Sequence, residues 1–300
     1  MKGDIMSFDK LNLDRRAFLR GSALLFAAPT VMGLAACGGS KPAETDSAAT
    51  DDAAATDATE AAFDGNLIVG FDQEFPPYGY VDVEGEYAGF DLDLAKAVCD
   101  AKGWTYTPTP IDWDAKDAML NSGQITCIWN GFTIEGREKD YAFTSAYMNN
   151  SNVIVVAADS DIKTLADLAG KNVVVQTDSG AQSVLEGDQA ELTATFGALE
   201  TIGEYNTAFM MLEQGTYDAI AVDYGVAAFN IAGKEDKFTI LEEPLNGEHY
   251  GVGFALGNEA LAAEVEAQMQ ALYADGTVAK IAEKYADQGL SMDNWCLPEA

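Results

Sequence analysis

The chain has 300 residues, 48% of them hydrophobic, and a formal net charge of −32 from 17 Lys and Arg against 49 Asp and Glu. That length fits about two ordinary domains, and a mean hydropathy of −0.05 allows a sizeable core but excludes a protein of many membrane spans. So acidic a surface repels nucleic acid and anionic lipid and favours a basic partner or a zwitterionic or cationic ligand, although solubility alone also accounts for it.

Residues 1–36 read as an export signal. Arg15 and Arg16 precede an uncharged apolar run from Ser22 to Ala36, broken by Pro29 and Gly33. The run is shorter than the about 20 residues that a spanning helix needs. Basic, apolar and small residues follow one another in the order of a targeting segment. Leu34-Ala35-Ala36-Cys37-Gly38 resembles the bacterial lipoprotein signal (lipobox), in which the cysteine receives a diacylglycerol thioether and becomes the mature N-terminus. The arginine pair resembles a twin-arginine signal, with Asp14 where that pattern usually has Ser or Thr. A plain N-terminal anchor helix is the alternative. Cys37 is thus expected to carry a lipid anchor, with residues 37–63 as a lipidated, disordered acidic linker. Residues 38–62 are nearly all Ala, Thr, Asp, Ser, Glu and Gly, which bury too little apolar surface to offset the entropy of ordering. Loss of residues 1–36 leaves 12 basic and 46 acidic residues, a formal charge of −34.

The globular part runs from about Asp64 to Cys296. Residues 67–71 (LIVGF) form a predicted buried strand, and Phe75-Pro76-Pro77-Tyr78-Gly79 breaks it into a loop. Residues 90–102 carry apolar positions at helical spacing and stop at Gly103. Strands are predicted at 106–111 and 125–129, with a short helix at 115–120 between them. A strand at 153–156, a capped short helix at 164–170 and a strand at 173–176 follow. Next come a helix after Gly180, a helix at 205–214, a strand at 219–222 and a helix at 226–232. A return strand at 252–255 and closing helices at 259–274 and 278–286 complete the chain. Alternating strands and helices indicate an α/β class with mainly parallel sheets, whose ligand sites lie in loops at the carboxyl ends of strands.

Cys99, Cys127 and Cys296 leave an odd number of thiols once Cys37 is assigned to lipid, so one disulfide in any of three pairings, or buried inert thiols, are both open. Their spacings match no zinc pattern and His249 is the single histidine, so neither metal nor cofactor is expected.

The loops after the strands hold the chemistry: Asp72 to Tyr78, Asp112-Trp113-Asp114, Asn130 to Arg137, Gln176 to Gly180, and Tyr217 to Asp223. The segments FPPYGYVDVEGEYAGFDLDLAKAV, IDWDAKDAML, WNGFTIEGRE, LADLAGKNVVVQTDSG and YDAIAVD resemble those of the polar amino-acid substrate-binding proteins of bacterial ABC importers, over about residues 66–286. The resemblance implies a two-lobed, type II periplasmic-binding-protein-like α/β fold with two strand crossovers forming a hinge, near Asn150–Val155 and His249–Phe254. Lobe 1 is expected over 64–152 and 250–300, and lobe 2 over 153–249.

An amino-acid zwitterion needs a partner for each buried charge. Arg offers a planar fork for the carboxylate. By resemblance, Arg137 grips the carboxylate with help from Thr133 and the Ser179–Gly180 backbone at a helix start, and Gly131 is among the ligand-binding residues. Asp223 holds the ammonium, Phe75 and Trp113 sandwich the side chain, and Asp72, Glu74 and Asn130 read its polar end. Plainer readings are a surface Arg137 paired with Glu138 or Asp140, Asp223 as a helix N-cap, core aromatics at Phe75 and Trp113, and a solvated Glu74. The family commonly has four residues between this Thr and Arg, where this chain has three; Asp178 stands where Gly is common, and Trp129–Asn130 where small residues are.

The implied function is a lipid-anchored, extracytoplasmic receptor, on the outer face of the cell membrane or in the periplasm. It is expected to be monomeric and not an enzyme. It would bind glutamine, cystine or a basic amino acid by hinge closure and deliver it to an importer's permease subunits and their ATPase. The alternatives are an exported enzyme of the cyclohexadienyl dehydratase type, with Glu74 or Asp72 as general acid, and a ligand sensor on the same fold.

Overall fold

The computed structural model describes residues 63–298; the export signal, Cys37 and the linker before Phe63 lie outside the described residues. Phe63 already packs edge-on against Trp104, with ring centroids 4.8 Å apart. Phe63, the last residue of the expected linker, thus belongs to the packed body.

The first strand, β1 (Asn66–Phe71), is followed by a small antiparallel sheet of β2 (Glu74–Phe75), β3 (Gly79–Val81) and β4 (Tyr87–Ala88). Helix α1 (Phe90–Lys102) has the predicted bounds and ends on a left-handed Gly103. Then come β5 (Thr105–Pro110), α2 (Lys116–Asn121), β6 (Cys127–Thr133), β7 (Ala142–Phe143) and β8 (Met148–Ala157). The second half contains β9 (Asn172–Gln176), α3 (Gly180–Glu186), α4 (Ala190–Thr193), β10 (Ala198–Ile202), α5 (Tyr205–Glu213), β11 (Ala219–Asp223), α6 (Tyr224–Ile231) and β12 (Phe238–Ile240). Strand β13 (Asn246–Phe254) leads back to the closing helices α7 (Glu259–Ala274) and α8 (Thr277–Glu283), which pack on α1.

The main sheet has the order β10-β9-β11-β8-β13-β6-β1-β5. Its two ends, β10-β9-β11 and β6-β1-β5, are parallel. The middle is antiparallel: β8 pairs with β11 and β13, and β13 pairs with β6. The chain passes from one lobe to the other along β8 and returns along β13. These strands are hydrogen-bonded to each other from Met148 opposite Tyr250 to Asn152 opposite Asn246. The hinge is therefore a two-stranded antiparallel ribbon.

Side chains alternate between the faces of each strand, and each lobe buries both faces. Val153 and Val155 join the largest cluster, while Ile154 and Val156 join a second one with Val173, Val175, Ala219 and Ala221. In the first lobe, Cys127 and Trp129 face the large cluster, and Ile128 faces a third built on Ile111, Ile125, Phe132 and Tyr141. The large cluster runs through Tyr147, Met148, Tyr250 and Val252, so the crossing strands share one core with both lobes.

Three expectations need correction. The strand expected to end at Trp129 continues to Thr133, because Phe132 packs against Trp113, Tyr141 and Phe143 and the strand pairs with β13 there. The return strand starts at Asn246 rather than Val252. The predicted helix at 164–170 is a single 3-10 turn, Leu165–Leu168, held by a reciprocal Thr164–Asp167 capping box. Of the two readings left open for the thiols, the structure has buried free thiols at Cys99 and Cys127 and no disulfide among Cys99, Cys127 and Cys296; burial raises the first two, that of Cys99 to about 11.

The Gly89 backbone just before α1 has φ 138°, and a Cβ there would lie 2.1 Å from the carbonyl oxygen of Tyr78. No side chain relieves a clash with backbone. Gly89→Ala is expected to destabilise the fold by about 3 kcal/mol or more, measured by denaturant unfolding; a loss within experimental error would show that the α1 entry tolerates a Cβ.

Candidate functional site

The carboxyl ends of β1, β6, β9 and β11 meet beside the hinge strands. Phe75, Trp113, Asn130, Gly131, Thr133, Arg137, Ser179, Gly180 and Asp223, with Gln176, line one cavity there. Its volume is about 10 Å³, room for about one water molecule. The two faces are thus shut against each other. Asp72 lies instead on an adjoining cavity of about 300 Å³, which shares Trp113 and includes Asp112, Asp114 and Glu204. Glu74 lines neither cavity.

Asp72 is buried directly after β1. Its N–H donates to Asn130 Oδ1 (2.7 Å), while its carboxylate accepts from the Glu74 N–H (2.8 Å) and, across the cleft, from Gln176 Nε2 (2.6 Å). Burial raises its carboxyl above the usual range, those two hydrogen bonds oppose the rise, and Glu204 and Asp112 add to it. Glu74 is half-buried and likewise raised, by burial and then by Glu204 and Asp72; its Oε2 has no hydrogen-bond partner.

Arg137 lies half-buried after β6, with its guanidinium 5.0 Å from the Phe132 ring. It donates to the carbonyl oxygens of Thr133 (3.2 Å) and Asp178 (2.8 Å). Neither Glu138 nor Asp140 forms an ion pair with it among the described residues. Asp178 collects further donors from the opposite lobe. Trp113 Nε1 reaches its carbonyl oxygen at 3.2 Å, and the buried Lys116 ammonium reaches its carboxylate at 3.1 Å while lying 5.3 Å from the Trp113 ring. Asp178 holds φ 59°, a left-handed conformation that Asp tolerates better than most residues. The position where the family favours Gly thus keeps the glycine-like backbone and adds an anion.

Asp223 ends β11 and is 3% exposed. Its side chain does not cap α6. Instead it accepts from Asn150 Nδ2 (2.5 Å) and from the Tyr250 hydroxyl. The same Asn150 amide donates to Glu248 on β13 at 2.6 Å. Glu248 is 2% exposed and also accepts from Asn152 Nδ2 (2.8 Å) and Thr133 Oγ1 (3.1 Å). Burial drives the Asp223 carboxyl well up, and Glu248 pushes it further; burial also raises Glu248, against the hydrogen bonds it accepts.

Sequence reasoning missed Glu248, Asn150, Asn152, Tyr250, Lys116 and Gln176 as parts of the site. The signal for Glu248 was a carboxylate two residues before Tyr250 on a continuous strand. Starting the return strand at Val252 hid that alternation.

The family model for bacterial extracellular solute-binding proteins, family 3, matches residues 67–288. Over 224 residues the chain is 26% identical to the ABC transporter arginine-binding protein 1 of Escherichia coli K12, spanning 73% of this chain and 90% of that protein. The crystal structure of an ABC uptake transporter substrate binding protein from Streptococcus pneumoniae with bound histidine superposes with a TM-score of 0.72 at 29% identity, over 76% of this chain and 95% of that one. An ancestral amino acid-binding protein, a precursor of cyclohexadienyl dehydratase, superposes with a TM-score of 0.66 at 28% identity, over 74% and 95%.

Two outcomes follow from this geometry. A Cβ on Gly180 would lie 2.7 Å from Thr133 Oγ1 and 2.8 Å from Glu248 Oε2. Gly180→Ala is expected to hold the lobes apart, raising the radius of gyration in small-angle X-ray scattering; an unchanged radius would show that the contact relaxes freely. Asp91, wholly buried, accepts from the Gly131 N–H (2.6 Å) and the Tyr147 hydroxyl (2.7 Å), and burial raises its carboxyl to about 7 from 3.8. The folded chain holds this proton more tightly than the unfolded chain. Its contribution is therefore whole below pH 3.8 and is lost as the pH rises to about 7. Asp91→Asn is expected to remove a slope of about 1.4 kcal/mol per pH unit in that window; identical pH profiles of unfolding in the two proteins would contradict it.

Proposed function

The chain belongs to the bacterial extracellular solute-binding proteins, family 3, and we propose that it is the receptor of an ABC importer for an α-amino acid with a basic side chain. One observation carries this reading: Arg137 from one lobe and Asp223 from the other line a single cavity. The two ends of a zwitterion each need a buried partner of opposite charge, and this cavity has one on either side. In the proposal the Arg137 fork takes the carboxylate, exchanging its hydrogen bonds to backbone oxygens for a charged partner. The Thr133 hydroxyl and the Ser179–Gly180 backbone assist, and Asp223 takes the ammonium. Such a ligand touches both lobes, so it favours the shut form in proportion to those contacts. Micromolar affinity corresponds to about 8 kcal/mol, within reach of two desolvated charge pairs and packing between Phe75 and Trp113.

The preference for a basic side chain rests on the adjoining cavity. Beyond Trp113 it is lined by Asp72, Asp112, Asp114 and Glu204, with no lysine or arginine among its lining residues. A cation entering it would satisfy carboxylates that already repel one another. The E. coli relative is named for arginine and the S. pneumoniae structure holds histidine, which agrees with this choice. Residues 64–152 with the chain from 250 onward would form one lobe, and 153–249 the other. A lipidated Cys37 and its acidic tether would hold a monomeric receptor near the permease on the outer face of the membrane.

A thermal-shift screen of L-arginine, L-lysine, L-histidine, L-glutamine and L-cystine tests the reading. Arginine or lysine at a hundred times its dissociation constant should add about 2.7 kcal/mol of stability. Arg137→Ala should weaken binding at least a hundredfold. No shift with any amino acid would refute the assignment, and turnover of prephenate, with Glu74 as the acid, would move the chain to the dehydratase class.

A further inference from the structure

Asp223 and Glu248 are two buried carboxyls bridged by the single amide of Asn150, whose Nδ2 donates to Asp223 Oδ1 at 2.5 Å and to Glu248 Oε1 at 2.6 Å. They come from different parts of the fold, β11 in one lobe and the hinge strand β13. The cation that acts on Asp223 is Arg137, whose guanidinium donates to two backbone oxygens. The other titratable groups felt by the pair are phenols: Tyr78, Tyr205 on α5 and Tyr250 on β13, with Tyr78 and Tyr205 driven well up by burial and therefore neutral. Asp91 acts on the same Tyr78 and adds no positive charge. Two adjacent carboxylates cannot both stay ionised in such a place without a cation between them.

We propose that Glu248 is the second carboxylate of the ammonium site, and that an incoming ammonium displaces a proton which the Asp223–Glu248 pair holds in its absence. This rests on the amino-acid reading above. The proton leaves one of the two carboxyls for the solvent buffer, and the ammonium keeps its own three protons. The pair becomes doubly ionised, with the ammonium replacing the lost positive charge. Glu248 takes this role because Asn150, Asn152 and Thr133 already stabilise its carboxylate. Asp223, with fewer donors, is the group that gives up the proton. The consequence is that capture of an amino acid becomes tighter as the pH rises, and that a neutral side chain at position 248 uncouples binding from the proton.

The test is isothermal titration of the full chain with L-arginine at pH 7 in phosphate and in Tris, whose ionisation heats differ, with L-glutamine and L-cystine as side-chain variants. The wild type should release close to one proton per amino acid, whichever of the three it binds. Glu248→Gln should still bind, more weakly, and release almost none. Equal heats in both buffers despite binding, or full proton release by Glu248→Gln, would overturn the proposal while leaving the receptor reading intact. Absence of binding heat with all three amino acids would remove that reading and this proposal together.

Discussion

The site is organised around a cost that the fold does not avoid: carboxylates buried beside the hinge. Removing an anion from water is unfavourable unless hydrogen bonds or a cation compensate. Asn150 donates to both Asp223 and Glu248, Asn152 and Thr133 donate to Glu248, and Tyr250 donates to Asp223. Asn150, Asn152, Glu248 and Tyr250 all lie on the two crossing strands. The elements that bend when the lobes move therefore also solvate the charge that a ligand would meet. Chemistry and mechanics share the same backbone.

A second set of contacts spans the mouth of the cleft, and it has the opposite polarity. Asp178 in one lobe takes hydrogen bonds from Trp113, Lys116 and Arg137 in the other. Two of those three donors meet its backbone oxygen, so they depend on the left-handed turn at this residue rather than on the carboxylate. The carboxylate is free to meet Lys116, which at 2% exposure would otherwise bury an ammonium without an anion. With 49 acidic residues in the chain, cations are scarce, and Lys116 and Arg137 both stand at this mouth.

The bounds of α1 and α7 and five of the six strands in the parallel halves were legible in the sequence, because buried parallel strands are continuous apolar runs and helices keep a 3.6-residue period; the edge strand β10, only partly buried, was not, and the crossovers were placed by the family resemblance. Nine of the proposed contact residues could be found from strand-end loops and a family pattern for the same reason: the topology forces those loops together. What could not be read was polar burial within strands. Asn130 and Thr133 looked like loop residues because polar side chains ended the apolar run, yet Phe132 between them is anchored among aromatic rings. Glu248 was not singled out at all, because the return strand was taken to start at Val252 rather than Asn246. Its burial depends on Asn150, Asn152 and Thr133, distant in sequence, and no local pattern announces such partners. Asp72 and Glu74 show a further limit: both were placed near the ligand by loop position, but only Asp72 lines a cavity, and it is the adjoining one.

The division of the cleft into two cavities explains how one fold can serve relatives named for different amino acids. Arg137 and Asp223 line the part that would meet the α-carboxylate and α-ammonium, features every amino acid has, with Glu248 joined to Asp223 through Asn150. Asp72, Asp112, Asp114 and Glu204 line the part that would meet the side chain. Trp113 belongs to both and divides them. The common part uses buried, mutually hydrogen-bonded groups on strands, where one substitution leaves partners unsatisfied and costs stability. The variable part lies on loops and at helix starts, and Asp112, Asp114 and Glu204 are exposed, so exchanges there disturb little else. Under the proposed reading, specificity can change at the rim while the proposed zwitterion clamp and the hinge that carries it stay as they are.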